Sequence, residues 1–356
     1  MASRNIKLAA FAAVTALGGA GYYLYSATAQ SAAPQLAQAP LNVSRSIPPA
    51  FIMAVDNSGS MAFEMLFPGT DGQPYWDTTT GGQSSQRCAN GTRVNCFFDT
   101  SGNIRTSTGG PKYVFLFPQD VRSDSVGANG HKGIPPIGTY GFARSHQYNP
   151  AYFNPYPEVE YLPWKTSAGA DYPLPNPANM AFDPRNSVDR INLSEVRYDR
   201  ADDGDTVPSG NEKFHMPAGG VLPAGTMYYR ESSGCTQISG SGTGWRTLPA
   251  NHRFTQNCDI GIAFFPATFY LRTDAPAPAG YKTAVVTPDS EGRTIGGRSL
   301  AENACGDGCN LYRYEIRPEN YDSGYGQALQ KFANWLHFYG NRDRAVIAGM
   351  TNALSD

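Results

Sequence analysis

The chain is short of charge. Asp, Glu, Lys and Arg make up 16% of its 356 residues and the formal net charge is -2, so it offers neither nucleic acid nor acidic lipid a basic surface. Histidine is scarce as well. His131, His146, His215, His252 and His337 are scattered without ligand spacing, and there is no His-Glu-x-x-His helix and no Gly-x-Ser-x-Gly elbow. The marks of a zinc hydrolase or a serine hydrolase are therefore missing. Gly240-Ser241-Gly242-Thr243-Gly244 follows no predicted strand and opens no predicted helix, which argues against a phosphate cradle. Long apolar runs are confined to residues 8–25.

Glycine (38), proline (27), tyrosine (21) and phenylalanine (18) are abundant, so much of the chain is expected in turns and loops, with enough aromatic surface to hold them in a core. Arg4 and Lys7, the apolar stretch 8–25 and the small-residue site Ala27-Thr28-Ala29 read as a secretory signal peptide over residues 1–29. An uncleaved anchor is the competing reading. The stretch is barely long enough to span a membrane and contains Gly18, Gly19 and Gly21, so export with cleavage is expected and membrane contact is confined to export. Residues 30–49, rich in Ala, Gln, Pro and Ser, read as a linker. Six cysteines fall into three local groups, Cys88 with Cys96, Cys235 with Cys258 and Cys305 with Cys309, and an oxidising compartment favours disulfides over zinc for each.

The organising stretch is the apolar run Phe51-Ile52-Met53-Ala54-Val55 followed by Asp56-Asn57-Ser58-Gly59-Ser60-Met61. A short apolar run without alternation that ends in turn residues predicts a buried central strand, beyond whose end a ligand would sit. Asp56, Ser58 and Ser60 place one carboxylate and two hydroxyls on alternate residues. Such hard oxygens suit a divalent cation, Mg²⁺ first, with Ca²⁺ or Mn²⁺ as alternatives. A plain Asp-Ser-Gly turn remains the simpler alternative. The pattern resembles the metal-ion-dependent adhesion site of von Willebrand factor A domains.

Residues 63–324 show short apolar segments between Gly, Pro, Asn and Asp. The clearest predicted strands are 113–117, 261–265, 268–271 and 311–316. The aromatic and proline block 148–164, with Tyr152 and Trp164, suits either a small internal core or a weak partner-binding surface. The acidic segment 199–205 lacks the ligand order of an EF-hand and reads as a solvated turn. From residue 325 to about 353, Leu329, Phe332, Ala333, Leu336, Val346, Ile347 and Met350 recur at helical spacing, interrupted by Gly340. This predicts one long amphipathic helix or a helix pair.

Taken in order, Asp56-Asn57-Ser58-Gly59-Ser60-Met61, the Tyr-Asn-Pro and Tyr-x-Pro-Trp block of 148–164, Phe265-Pro266-Ala267-Thr268-Phe269-Tyr270, Tyr314-Glu315-Ile316 and Phe332-Ala333-Asn334-Trp335 with Tyr339 and Arg342 resemble the PilY type of type IV pilus tip adhesins and assembly factors. The resemblance covers nearly all of the chain after residue 29. It implies an α/β, von Willebrand A-like (Rossmann-type) domain, incomplete here. Its first strand and metal turn would be residues 50–62, and its delayed first helix would lie in 325–356 beyond a β-rich and irregular insertion, 63–324. Asp56, Ser58 and Ser60 would be the metal ligands. A Thr and an Asp expected from later loops do not appear before Asp356, so an amino-terminal piece or truncated product is expected. The implied function is non-enzymatic: an exported adhesion and pilus assembly factor at the periplasm, outer membrane, cell surface or pilus tip, with minor pilins and a host or abiotic surface as partners. The alternative is a secreted carbohydrate-binding or hydrolytic protein.

The cysteine reading predicts three local bridges and no free thiol in exported material. In the chain-entropy model, closing a loop of about fifteen residues contributes roughly 3 kcal/mol. Non-reducing peptide mapping checks this, and bound zinc or free thiols at Cys305 and Cys309 would rule out that pair.

Overall fold

The computed structural model describes residues 54–56, 58–68, 72–76, 97–98, 104, 112–117, 131–198, 213–231, 238–306 and 308–354. The chain divides into Met1–Val55 and Asp56–Asp356; apart from Ala54 and Val55, everything below concerns the second unit. In chain order its strands are β1 (Lys112–Phe115), β2 (His131–Gly133), β3 (Met180–Asp183), β4 (Asn186–Ile191), β5 (Phe214–Met216), β6 (Val221–Leu222), β7 (Met227–Arg230), β8 (Gly244–Thr247), β9 (His252–Arg253), β10 (Cys258–Ile260), β11 (Thr268–Arg272), β12 (Ser299–Ala301) and β13 (Leu311–Glu315). Two helices follow, α1 (Tyr325–Tyr339) and α2 (Arg342–Ala353). The architecture is thus mixed strands and helices with small sheets. Among the described residues, β1–β2 is the one parallel pair and the rest are antiparallel.

The three-stranded sheet β11–β13–β12 lies at the centre. Thr268, Phe269, Tyr270 and Leu271 of β11 are all buried, so both faces are covered. On one face the 3-10 segment Gly138–Arg144 crosses so closely that a Cβ on Gly141 would lie 2.7 Å from the Tyr270 ring, and no other residue fits there. On the other face Phe269 stacks on its cross-strand partner Tyr314 with ring centroids 5.2 Å apart. Phe153 bridges that face to α1, 5.5 Å from Phe269 and 4.9 Å from Phe332. Offset and edge-on ring pairs of this kind add about 0.5–1.5 kcal/mol each beyond their area.

The helical periodicity resolves into a pair. Leu329, Phe332, Ala333 and Leu336 form the buried stripe of α1 together with Trp335 and Phe338. The helix stops at Gly340, where a Cβ would meet the Leu336 carbonyl oxygen at 2.4 Å. Asn341 then caps α2, its side chain accepting from Arg344 N. In α2 the buried residues are Arg344 and Ala348; of the predicted residues, Ile347 is half-buried against the Trp164, Phe338 and Ala348 cluster, Met350 is half-buried and Val346 is exposed. The helix is seated by a polar anchor, since Arg344 Nη1 donates to the Phe182 carbonyl.

Three expectations need correction. The predicted strand at 51–55 is not seen in its described part: Ala54 and Val55 are exposed and outside any strand, Val55 at 44%, while 51–53 lie outside the described residues. An apolar run becomes a buried strand only where neighbouring strands pair with it, and none does among the described residues. The run 261–265 is not a regular strand either. Its backbone bonds alternate between two neighbours, Tyr229 N to Gly261 O and Ala263 N to Met227 O on one side and the reciprocal Arg197–Phe264 pair on the other. Finally, Tyr152 and Trp164 offer no partner a ring face, being 1% and 2% exposed. The Tyr152 hydroxyl donates to Thr268 O at 2.6 Å and its ring meets Trp335 at 4.7 Å. Trp164 Nε1 donates to Phe338 O at 3.0 Å.

Trp164→Ala removes a buried indole that joins the 161–172 segment to the end of α1, and it leaves Phe338 O without that donor. A loss of about 3–5 kcal/mol is expected. Val188→Ala, at a 65% exposed position, is expected to change stability by about 0.5 kcal/mol or less. Equilibrium denaturation of the two variants side by side measures the difference.

Candidate functional site

Asp56 opens the site by folding back on its own chain. Its Oδ1 accepts from Ser58 N at 2.8 Å, an Asx turn, and its Oδ2 accepts from Ser58 Oγ at 3.1 Å. Ser58 has extended backbone angles and starts the 3-10 turn Gly59–Ala62, closed by Met61 N donating to Ser58 O. That turn brings Ser60 Oγ to 2.9 Å from Ser58 Oγ. One carboxylate and two hydroxyls therefore form a continuous chain of oxygens. Asp56 and Ser58 are exposed and Ser60 is half-buried. The Ser58 N–H, and after it the Ser58 hydroxyl, hold the Asp56 carboxyl below the usual carboxylate range, so it is anionic at neutral pH.

The anchors of this turn lie just beyond it and are buried. Phe63 O accepts from Arg342 N at 3.1 Å, and the Arg342 guanidinium donates twice to Met65 O, at 3.0 and 2.7 Å, across 277 residues of sequence. The same guanidinium sits 5.3 Å from the centroid of the Phe63 ring. Glu64, 2% exposed, accepts from Leu116 N at 2.5 Å and Phe117 N at 3.0 Å. Leu66 N donates to Asn149 Oδ1 at 2.9 Å. The sequence reading assigned no role to Glu64, Asn149 or Arg342. The available signal was a carboxylate set among Phe63, Met65, Leu66 and Phe67 directly after the turn, since a charge in an apolar stretch must be partnered.

In chemistry the donor set suits a hard divalent cation: Asp56, Ser58 and Ser60 would supply one anionic and two neutral oxygens, leaving other positions of a six-coordinate ion for water or a partner's oxygen. Among the described residues there is no group of three or more His, Cys, Asp and Glu side chains placed to hold a metal. Cys305 and Cys309 form a disulfide with Cα atoms 5.2 Å apart, and Cys258 is also disulfide-bonded. Cys88, Cys96 and Cys235 lie outside the described residues, as does the acidic segment 199–205. The carbonyls of Gly240 and Gly242 accept from the Arg230 guanidinium; this segment meets its charged neighbour with acceptors, the opposite of an anion cradle. No described helix is long and apolar enough to cross a membrane. No protein-family model matches the chain, and no curated protein or solved structure matches it.

If the three oxygens hold the ion, Mg²⁺ raises the melting temperature of the chain in proportion to occupancy, and Asp56→Ala removes that rise. Because Asp56 is exposed and its bonds among the described residues lie within its own turn, the metal-free melting temperature is expected to stay unchanged. Thermal melts across a Mg²⁺ titration, with and without chelator, measure both.

Proposed function

We propose that this chain is an exported, non-enzymatic adhesion and pilus assembly factor that engages a partner through a divalent cation held by Asp56, Ser58 and Ser60. The observation that carries the proposal is the convergence of one carboxylate and two hydroxyls in an exposed turn braced from behind by buried groups. Such a cation, Mg²⁺ by preference, supplies an electrophilic centre that a partner's carboxylate can complete. Asp56 provides the one protein charge, so the ion stays short of neutralisation and retains attraction for an acidic side chain. The signal-peptide pattern at 1–29 and the cysteine usage support export. The pilus assignment, with minor pilins and a host or abiotic surface as partners, rests on the motif resemblance.

The same reading takes residues 50–62 as the first strand and metal turn of a von Willebrand A-like domain, 63–324 as an insertion and 325–356 as its resumption. In its support, the start of 63–324 is tied to the segment that follows it: Phe63 O and Met65 O accept hydrogen bonds from Arg342. Of the helix pair, α2 is the one that packs beside the 3-10 turn. A carbohydrate-binding or hydrolytic alternative has less to draw on, because the rings of Tyr152 and Trp164 are engaged in packing.

Ser58→Ala combined with Ser60→Ala removes two of the three oxygens without touching the buried anchors. Attachment and pilus number are expected to fall several-fold at equal surface abundance, while export is unchanged. Attachment and piliation at parental levels would reject the metal-dependent reading.

A further inference from the structure

A cleft of about 730 Å³ opens beside the central sheet, lined in part by Arg144, Thr268, Ser299, Arg313, Glu315 and Arg317. It takes no lining residue from the Asp56 turn. The volume is in the range of pockets that enclose one small organic ligand, roughly 300–1,000 Å³. Its distinctive feature is Arg317. The residue is 9% exposed, its Nε donates to Glu315 Oε2 at 2.6 Å, and its guanidinium sits over Phe265 with Cζ 3.7 Å from the ring centroid. Its Nη2 is buried and has no hydrogen-bond partner among the described residues. A buried N–H left unpaired on a charged group is costlier than one on a neutral group, so Nη2 is a donor with affinity for an acceptor.

The surrounding charges decide what that partner is. Glu315 is the one buried carboxylate of the lining, 2% exposed, and it is already occupied: Oε2 accepts from Thr294 N and from Arg317 Nε, while Oε1 lies 3.7 Å from Arg313 Nε. Arg313 otherwise donates to Thr294 Oγ1 and Gly292 O. Arg144, 3% exposed, donates to the carbonyls of Leu116, Ile134 and Pro135, and burial pulls its guanidinium below the usual range. Among the other charged lining residues, Asp289 and Glu291 are paired with Arg293, Arg253 donates to Gly219 O and Glu302 is exposed to solvent. The floor around Arg317 thus carries two guanidiniums against one carboxylate, with an N–H to spare. A cation would meet net repulsion there, and a neutral acceptor would leave the excess charge unanswered. The walls add apolar surface from Phe265, Tyr270 and Ile262.

We propose that this cleft binds a small organic carboxylate, one carboxylate oxygen accepting from Arg317 Nη2 and the apolar or ring portion of the molecule lying against Phe265 and Tyr270. The bond is charge-assisted on both sides and so belongs to the stronger class. The site is separate from the metal turn, and its occupancy does not depend on Asp56.

The test uses the full chain with two matched probe pairs, benzoate against benzamide and D-glucuronate against D-glucose, at constant ionic strength. Calorimetry and thermal melting are expected to show saturable binding of at least one carboxylate, at least tenfold tighter than its neutral partner, with a matching rise in melting temperature. Arg317→Gln is expected to abolish the preference for the charged probe, Arg317→Lys to keep part of it and Asp56→Ala to leave it intact. Since Arg317 also holds Glu315, a glutamine variant that fails to fold leaves the decision to the charged-against-neutral comparison on the unaltered chain. Equal affinity for charged and neutral probes, no binding of either carboxylate at millimolar concentration, or binding that survives Arg317→Gln in folded protein would overturn the proposal.

Discussion

Everything in this unit depends on how buried coil satisfies its backbone. The strands are two to six residues long, so much of the chain crosses the core without a ladder to absorb its N–H and C=O groups, and each one left bare would cost about 1–3 kcal/mol. Buried polar side chains do that work. Asn320, fully buried, donates to Thr294 O and Glu315 O and accepts from Gly297 N, joining the 294–297 stretch to the end of β13. Asn149, also fully buried, joins Ala143 O to Leu66 N. The Tyr281 hydroxyl accepts from Glu315 N and lies within hydrogen-bond reach of Gly297 O and Glu315 O. These side chains replace sheet neighbours, and they explain how so loop-rich a chain keeps a core of close-packed rings.

The same constraint positions the candidate site. The Asp56 turn has no core of its own and bonds within itself; its location is inherited from Phe63, Glu64 and Met65 immediately after it. Glu64 ties that segment to the end of β1 and Arg342 ties it to the start of α2. The oxygens can therefore be exposed, as a ligand-accepting group must be, while the backbone carrying them is fixed by buried, charge-assisted bonds. Reversible coordination at a surface needs that division, because donors that are themselves mobile would have to be ordered by each binding event.

Legibility followed the range of the interactions. Strands at 112–115, 268–272 and 311–315 stood out as β-branched and aromatic runs, and the helical period from 325 onward was visible together with its break at Gly340, because these signals are local. Val55 was misread since burial of an apolar run is settled by what pairs with it. Residues 261–265 were misread because the same composition serves two alternating partners as well as one ladder. In α2 the period pointed at Val346, Ile347 and Met350, yet the contact that seats the helix is Arg344 reaching the Phe182 carbonyl, a demand set by distant coil. The oxygens of Asp56, Ser58 and Ser60 were legible at sequence spacing. Their anchor Arg342 was not, being 277 residues from the carbonyl it holds.

Ring placement follows from the same logic. Tyr152 and Trp164 each present one polar atom and a large apolar face, and in both cases the polar atom is spent on a carbonyl of another segment, Thr268 O and Phe338 O, while the face fills the space between. A ring used in this way is simultaneously core and crosslink. This lets Asn-Pro-rich coil, which cannot form helix and forms few ladders, hold a defined path across the sheet. Arg317 is built on the same plan, with its guanidinium over Phe265 and its Nε on Glu315, but its Nη2 has no hydrogen-bond partner among the described residues. That atom is one of several buried side-chain atoms without a hydrogen-bond partner among the described residues, and of these it is the guanidinium donor that lines the cleft.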